Sequence, residues 1–389
     1  MQQCRLFASG FRPTFLAAGF AAVTLIPLWV AAWVFGVPVG SAWPPTLWHA
    51  HEMLFGFIAV AIAGFLLTAV PSWTGRRGFA GWPLIALITL WVLGRLLVAT
   101  CAWWPPALVV AIDVSFFPAL ALLIAPPLLR QRNRNTALLL VLALLAVCNA
   151  AFHWALIRHD PEAALHSVIL GIDLVLLLVT VIGGRILPAF TANGLRLAGA
   201  NARIRLWPGV GTAAIAAMVG VAAADLLAPD TTIAGVIAAV AAVIQAVRLL
   251  QWRTGATLTQ PILWVLHLGY AWLPLGLALK SAALLGGFAA SAFWLHALTV
   301  GVLATMILGV MSRAALGHTG RPLVVAPLTA AAYGLLLLAT LTRVFGVAAS
   351  IDYVLVVLIS ATLWTGAFAL FLFIYAPILW SGRADGKPG

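Results

Sequence analysis

Long apolar segments separated by short polar connections occupy almost the whole chain. A helix needs about 20 mostly apolar residues to cross a bilayer. The segments that meet this requirement are 14–36, 46–71, 82–101, 105–128, 136–157, 165–189, 207–227, 231–251, 260–283, 291–315, 324–345 and 351–380. The pattern therefore predicts an all-α, polytopic fold with about twelve transmembrane helices, in a single membrane domain over residues 1–389.

Composition agrees with the hydropathy pattern. Of the 389 residues, 64% are hydrophobic and only 8% are charged, whereas about a quarter of the residues of a soluble protein are charged. The net charge of +12 could indicate a nucleic-acid partner. The basic residues are dispersed among apolar segments rather than clustered, so we expect lipid and not nucleic acid as the surrounding partner.

The basic residues predict the orientation, because cytoplasmic loops of membrane proteins are enriched in Lys and Arg. If the N-terminus is cytoplasmic, only Arg95, Arg158, Lys280 and Arg343 lie on the outer side, and 17 of the 21 basic residues lie inside. Both termini are therefore predicted to be cytoplasmic. The same orientation places six of the eight histidines near the outer ends of helices.

One stretch, Trp48–Arg76, recurs 245 positions downstream. The landmarks His51, Gly56, Gly64 and Thr74-Gly75-Arg76 reappear without a gap as His296, Gly301, Gly309 and Thr319-Gly320-Arg321. A middle copy rests on His166 and Gly171, which have the same five-residue spacing. We therefore expect three four-helix repeats, at 1–134, 135–258 and 259–389.

The histidines at the outer helix ends are the main candidates for chemistry, since ionisable groups on a membrane helix are costly and by default functional. His49 and His51 project about 200° apart on a regular helix, so either they serve two centres on opposite faces or His49 lies just before the helix begins. His51 and His296 could face a shared cavity and hold a bis-histidine haem. His153 and His166 could complete a copper or second-haem site with His49. The alternative is that such residues only anchor the helices at the interface.

Other ionisable residues extend the candidate set. Glu52 follows His51 and is the candidate for proton delivery. Arg95 and Lys280 could either extend to the interface or bind haem propionates. His267 lies within a helix and is either a cofactor-binding residue or a histidine hydrogen-bonded to a neighbouring helix. No CxxCH motif is present, so any haem would be bound non-covalently.

Several long motifs resemble the NnrS family almost from end to end. They include FRPTFLAAGF at 11–20, WHAHEMLFGF at 48–57, GGRILPAFTANGL at 183–195, LHLGYAWLPLGL at 266–277 and MSRAALGHTGRP at 311–322. The resemblance implies a multi-pass protein of the bacterial inner membrane, associated with nitric oxide metabolism and carrying haem b and copper. It also adds His318 to the candidate metal ligands.

A more distant similarity is architectural. Haem-copper oxidases and nitric oxide reductases also have twelve helices in three four-helix arcs, with outer histidines on helices 2, 6, 7 and 10. The present chain has histidines on predicted helices 2, 6 and 10, lacks the pair on helix 7, and carries its His-x-His motif on helix 2 instead of helix 10. The similarity therefore predicts no ligand-by-ligand equivalence.

These observations favour a haem- and copper-binding membrane protein that handles nitric oxide, with reduction of nitric oxide as the enzymatic version. Reduction would need a quinol or a redox protein as electron donor. Two alternatives remain open. One is a transporter or permease for a metal, haem or small solute, and the other is a metal protein that responds to nitric oxide without turnover.

Overall fold

The computed structural model describes residues 5–37, 42–199, 203–286 and 293–387. Within these ranges the chain forms helices and no strands, and twelve helices are long and apolar enough to cross a membrane. In chain order, α1 to α12 are Phe11–Phe35, Pro45–Thr74, Trp82–Ala99, Pro106–Arg130, Arg134–Ile157, Pro161–Leu197, Val210–Leu227, Thr232–Leu250, Pro261–Gly286, Trp294–His318, Pro327–Phe345 and Tyr353–Trp380. The predicted all-α, polytopic fold is confirmed.

The repeated Thr-Gly-Arg motif ends two of these helices in the same way. Gly75 and Gly320 have φ of 61° and 70°, a left-handed conformation that glycine adopts without steric cost. The threonine before each glycine donates its hydroxyl to the carbonyl four residues earlier, at 2.8 Å for Thr74 and 2.6 Å for Thr319. The motif shared by α2 and α10 is thus a helix-ending signal.

Both repeated helices are also interrupted by a π-helical segment at the same place. In α2 the segment is Glu52–Ile58, and in α10 it is Ala297–Ala304. Ala297 follows Glu52 by 245 positions, the offset of the sequence repeat. Each segment begins directly after a histidine, His51 or His296. Such π-helical turns occur frequently at functional sites.

Helix α6 differs most from its predicted bounds of 165–189. It runs from Pro161 to Leu197 and contains a third π segment, Val179–Gly183. The extension Gly184–Leu197 is amphipathic, with Thr191 buried and Arg196 exposed. A criterion based on continuous apolar length stops at the first polar residues, whereas one buried face is enough to continue a helix.

The chain divides into two compact units. The first contains Met1–Gly171, Arg313–Pro322 and Phe368–Gly389, and the second contains Ile172–Ser312 and Leu323–Ala367. This division into two units does not test the three predicted four-helix repeats, which remain a prediction. Helix α2 lies in the first unit. In its most apolar segment of 18 residues, 72% is buried inside the protein, whereas the corresponding share for α3 is 28%.

Candidate metal centre

A buried polar cluster begins at His51 in the first unit. The imidazole is fully buried, and its Nδ1 atom lies 3.0 Å from Oε1 of Glu52. Side chains adjacent in sequence do not face each other on a regular α-helix. This pair meets where the α-helical part of α2 ends at His51 and the π segment begins at Glu52. The local change of helix type therefore coincides with the histidine–carboxylate contact.

Asp113 on α4 is the centre of the cluster. Its Oδ2 atom lies 3.0 Å from Nε2 of His51 and 2.9 Å from Nε2 of His153, and it accepts a hydrogen bond from Nδ2 of Asn149 at 2.9 Å. Asn149 and His153 are four residues apart on α5, so they share one helix face. A single carboxylate oxygen thus brings side chains from α2 and α5 together.

Arg95 on α3 holds the two carboxylates in place. Its Nη1 donates to Oε1 of Glu52 at 2.5 Å, and its Nη2 donates to Oδ1 of Asp113. With both carboxylates ionised and the histidines neutral, the group has a net charge of −1. Burying an uncompensated charge is expensive. A proton or a metal cation in the cluster would neutralise this charge.

Aromatic rings enclose His51. The ring centroids of Phe152, Phe55 and Trp43 lie 4.7, 5.0 and 5.2 Å from that of His51. The ring of His153 lies 5.4 Å away, approaching edge-on. This shell keeps bulk water from the cluster and strengthens the electrostatic interactions inside it.

A cavity of about 530 Å³ reaches the cluster at His153. It belongs to the first unit, and its wall is mostly apolar, with Trp43, Leu47, Val109 and Leu156 among the lining residues. Ligand cavities of about 300–1,000 Å³ with few polar groups are typical of small-molecule sites. The cavity could admit a small, weakly polar molecule to His153 without admitting it to the more deeply enclosed His51.

The donor set fits a transition-metal ion. One ligand atom from each of His51, Asp113 and His153 lies within 4.8 Å of the others, and ligands that bind one ion at 2.0–2.2 Å are about 3–3.5 Å apart. Imidazole nitrogens with one carboxylate suit copper, zinc or iron. Oε2 of Glu52 is buried and has no hydrogen-bond partner among the described residues, which leaves a further oxygen donor beside the group.

The other predicted residues of the first unit lie elsewhere. His49 stacks on Trp29, with ring centroids 4.3 Å apart, which agrees with its predicted separation from His51. His166 is half-buried in the first turns of α6. His318 is the exposed last residue of α10, and its ring packs against Phe11 at 5.5 Å. Their roles as metal ligands remain predictions.

In the second unit, His267 and Lys280 have polar partners from the protein itself. His267 contacts the hydroxyl groups of Thr191 and Thr254 at 2.7 and 3.0 Å. Lys280 forms an ion pair with Asp225 and lies over the ring of Trp294 at 4.6 Å. Their proposed roles beside a haem remain predictions, as does the propionate role of Arg95.

His296 also lies in the second unit. It is half-buried and occupies the last position before the π segment of α10, as His51 does in α2. The two histidines thus have the same place in their own helices. The bis-histidine haem proposed for them remains a prediction.

Two residues of the cluster were absent from the predicted site. These residues are Asp113 on α4 and Asn149 on α5. The four-residue spacing from Asn149 to His153 is a signal that could have identified it, because two polar residues on one face of an apolar helix predict a shared buried contact.

The structure thus defines a polytopic, all-α membrane protein with a buried histidine–carboxylate centre. The family model described as NnrS protein matches residues 5–383, nearly the whole chain. The chain therefore belongs to the NnrS family, membrane proteins related to nitric oxide metabolism. A comparison with curated proteins found no significant match.

Proposed function

We propose that this protein binds copper at His51, Asp113 and His153 and handles nitric oxide there, in a bacterial inner membrane. The observation that carries the proposal is the buried set of three donor atoms within 4.8 Å of one another in a chain of the NnrS family. Copper held by these residues would supply a redox-active centre with room for a small ligand.

The residues of the chain have distinct parts in this proposal. Glu52 accepts the Nδ1 proton of His51, which leaves Nε2 for the metal and fixes the ring orientation, as carboxylates commonly do beside metal-bound histidines. Arg95 orients both carboxylates. His153 lies at the boundary between the cluster and the apolar cavity, so a nitric oxide molecule entering that cavity meets His153 first.

Reduction of nitric oxide is the enzymatic version of this function. Two molecules of nitric oxide, two protons and two electrons give nitrous oxide and water. Glu52 is the proposed proton carrier, because its Oε2 atom is buried without a partner among the described residues. A quinol or a redox protein would supply the electrons. Haem b, bound without covalent links, is proposed as a second cofactor.

Replacing His153 with alanine is expected to remove bound copper. The variant deletes one of three donors at the more accessible edge of the cluster, and losing a ligand should reduce affinity by about 100-fold or more. Copper per chain is measured by mass spectrometry, together with the copper electron paramagnetic resonance signal. Nitric oxide loss is then followed amperometrically with the pre-reduced protein and a metal-free sample.

His159→Asn is the matched control. His159 is exposed, lines the same cavity and has a positive φ of 57°, which asparagine tolerates. Copper should be retained in this variant. Equal copper in the wild type and His153→Ala would place the metal elsewhere. If the protein binds copper but consumes nitric oxide no faster than the metal-free sample, it is not a nitric oxide reductase. Its function would then be to bind nitric oxide without reducing it.

A transport function is the second candidate, favoured by the second unit. Lys280 and Asp225 form a buried ion pair between α9 and α7, and Asp173 on α6 is also buried. Buried ionisable groups on membrane helices mark ion and proton pathways in transporters. Uptake of copper into proteoliposomes that depends on Lys280 would support transport, whereas stoichiometric copper that does not exchange would contradict it.

A further inference from the structure

A second cluster of charged groups surrounds Ser381, at the predicted cytoplasmic side of the first unit. Arg12, in the first turn of α1, is fully buried. Its Nη1 donates to the carbonyls of Leu379 at 2.9 Å and Ser381 at 2.5 Å. Arg321 donates from Nη2 to the hydroxyl of Ser381 at 3.4 Å. Two guanidinium groups therefore contact one residue at the end of α12.

Both guanidinium groups retain buried donors that have no partner among the described residues. Nε and Nη2 of Arg12 and Nη1 of Arg321 are buried and donate to no atom of the described residues. Buried donors are nearly always hydrogen-bonded in proteins, because leaving one unpaired costs the full desolvation penalty. The three orphaned donors on these two arginines indicate an acceptor that the described residues do not provide.

The charge balance indicates the same kind of ligand. Arg5 and Arg383 also act electrostatically on Arg12. The carboxylate of Asp385 accepts hydrogen bonds from Arg383 at 2.9 and 2.5 Å, which lower the pKa of Asp385 to about 2. Asp385 is thus ionised and engaged with Arg383. It compensates one of the four guanidinium charges and leaves an excess of positive charge around Arg12.

We propose that Arg12 and Arg321 form a binding site for a phosphate-bearing anion. The planar guanidinium group presents its donors in a fork that matches the oxygens of a phosphate, and arginine is the usual residue for this recognition. The site lies where α1 begins and α12 ends, at the predicted cytoplasmic ends of these two spans. Basic pockets between helices on the cytoplasmic side bind anionic lipid headgroups. The phosphate could belong to such a lipid or be free in solution.

Lipid and phosphate titrations of the purified full chain test this site. Thermal unfolding in a zwitterionic detergent is followed by circular dichroism. Phosphatidylglycerol is added in one arm, with phosphatidylcholine as the neutral lipid, and inorganic phosphate in another arm, with chloride at equal ionic strength. We expect one of the two anions to raise the unfolding temperature of the wild type. Phosphatidylglycerol alone would identify a lipid source, and phosphate alone a soluble one.

Arg321→Gln should raise the half-saturating concentration about tenfold, since it removes charge-assisted hydrogen bonds. Arg12→Gln should abolish the response, and if that variant does not fold, Arg321→Gln decides alone. Arg130→Gln, at the exposed cytoplasmic end of α4, is the control for net charge and should respond as the wild type does. The proposal is overturned if Arg321→Gln and Arg130→Gln give the same titration, or if neither anion shifts the wild type.

Discussion

Replacing Arg95 with methionine is expected to lower the free energy of unfolding by about 3–5 kcal/mol. The substitution keeps a side chain of similar length but removes the cation between Glu52 and Asp113, whose side chains are 1% and 0% exposed. Two carboxylates would then remain buried without their guanidinium partner. Helix content followed by circular dichroism along an SDS titration in mixed micelles measures the change.

Two further variants show whether charge is the cause. Glu52→Gln combined with Arg95→Met removes one of the two carboxylate charges and should recover part of the lost stability, because the pair is coupled. Arg158→Met, at the exposed C-terminal end of α5, should leave the unfolding free energy within about 0.5 kcal/mol of the wild type. A loss in Arg95→Met no larger than in Arg158→Met would contradict the proposed electrostatic role.

Asp113→Asn is expected to reduce copper affinity by about 100-fold or more. The change preserves the shape of the side chain but replaces a carboxylate oxygen with an amide, which is a poorer donor to a cation. It also removes the negative charge that lies against both His51 and His153. Competition with a chelator of known affinity measures the copper dissociation constant of the purified protein.

Asp160→Asn is the matched control for Asp113→Asn. Asp160 is exposed beside the same cavity and caps the first turn of α6 by accepting from the amide of Ala163 at 2.9 Å, a role that asparagine can also perform. Its copper affinity should equal that of the wild type. Unchanged affinity in Asp113→Asn would mean that the cluster is a hydrogen-bonded network and not a metal centre.

The two predictions together separate stability from metal binding. Arg95→Met changes the charge of the carboxylate–arginine group from −1 to −2, so the protein becomes less stable while its affinity for a cation rises. Asp113→Asn changes the charge to zero, so both carboxylate–histidine contacts weaken and the affinity for a cation falls. A purely structural cluster would show no such opposite effects on copper affinity.

Twelve helices could be predicted from sequence because the requirement for a membrane span is local. Any continuous apolar segment of sufficient length meets it, whatever its neighbours. The type of helix ending at α2 and α10 was also predictable, because Gly75 and Gly320 adopt the left-handed conformation that terminates a helix. The extension of α6 was not, because Gly184–Leu197 is helical through one buried face that hydropathy alone does not reveal.

The residues that form the candidate metal centre could be predicted only in part. His51, Glu52, Arg95 and His153 were each identified as unusual for a membrane helix, but the sequence contains no information on which of them meet. His51 was paired with His296 by repeat symmetry. In the structure both nitrogens of His51 are directed to residues of the first unit.

The amino-acid sequence by itself therefore determined the membrane-spanning fold, the family and a set of residues too costly to place in lipid without a purpose. Only the tertiary structure decided that Asp113 and Asn149 join His51 and His153, from positions 62 and 98 residues beyond His51 in the chain. Helix formation depends on nearby residues and apolar length. The partner of a buried charge depends on which helix faces pack together, and this packing depends on residues throughout the chain.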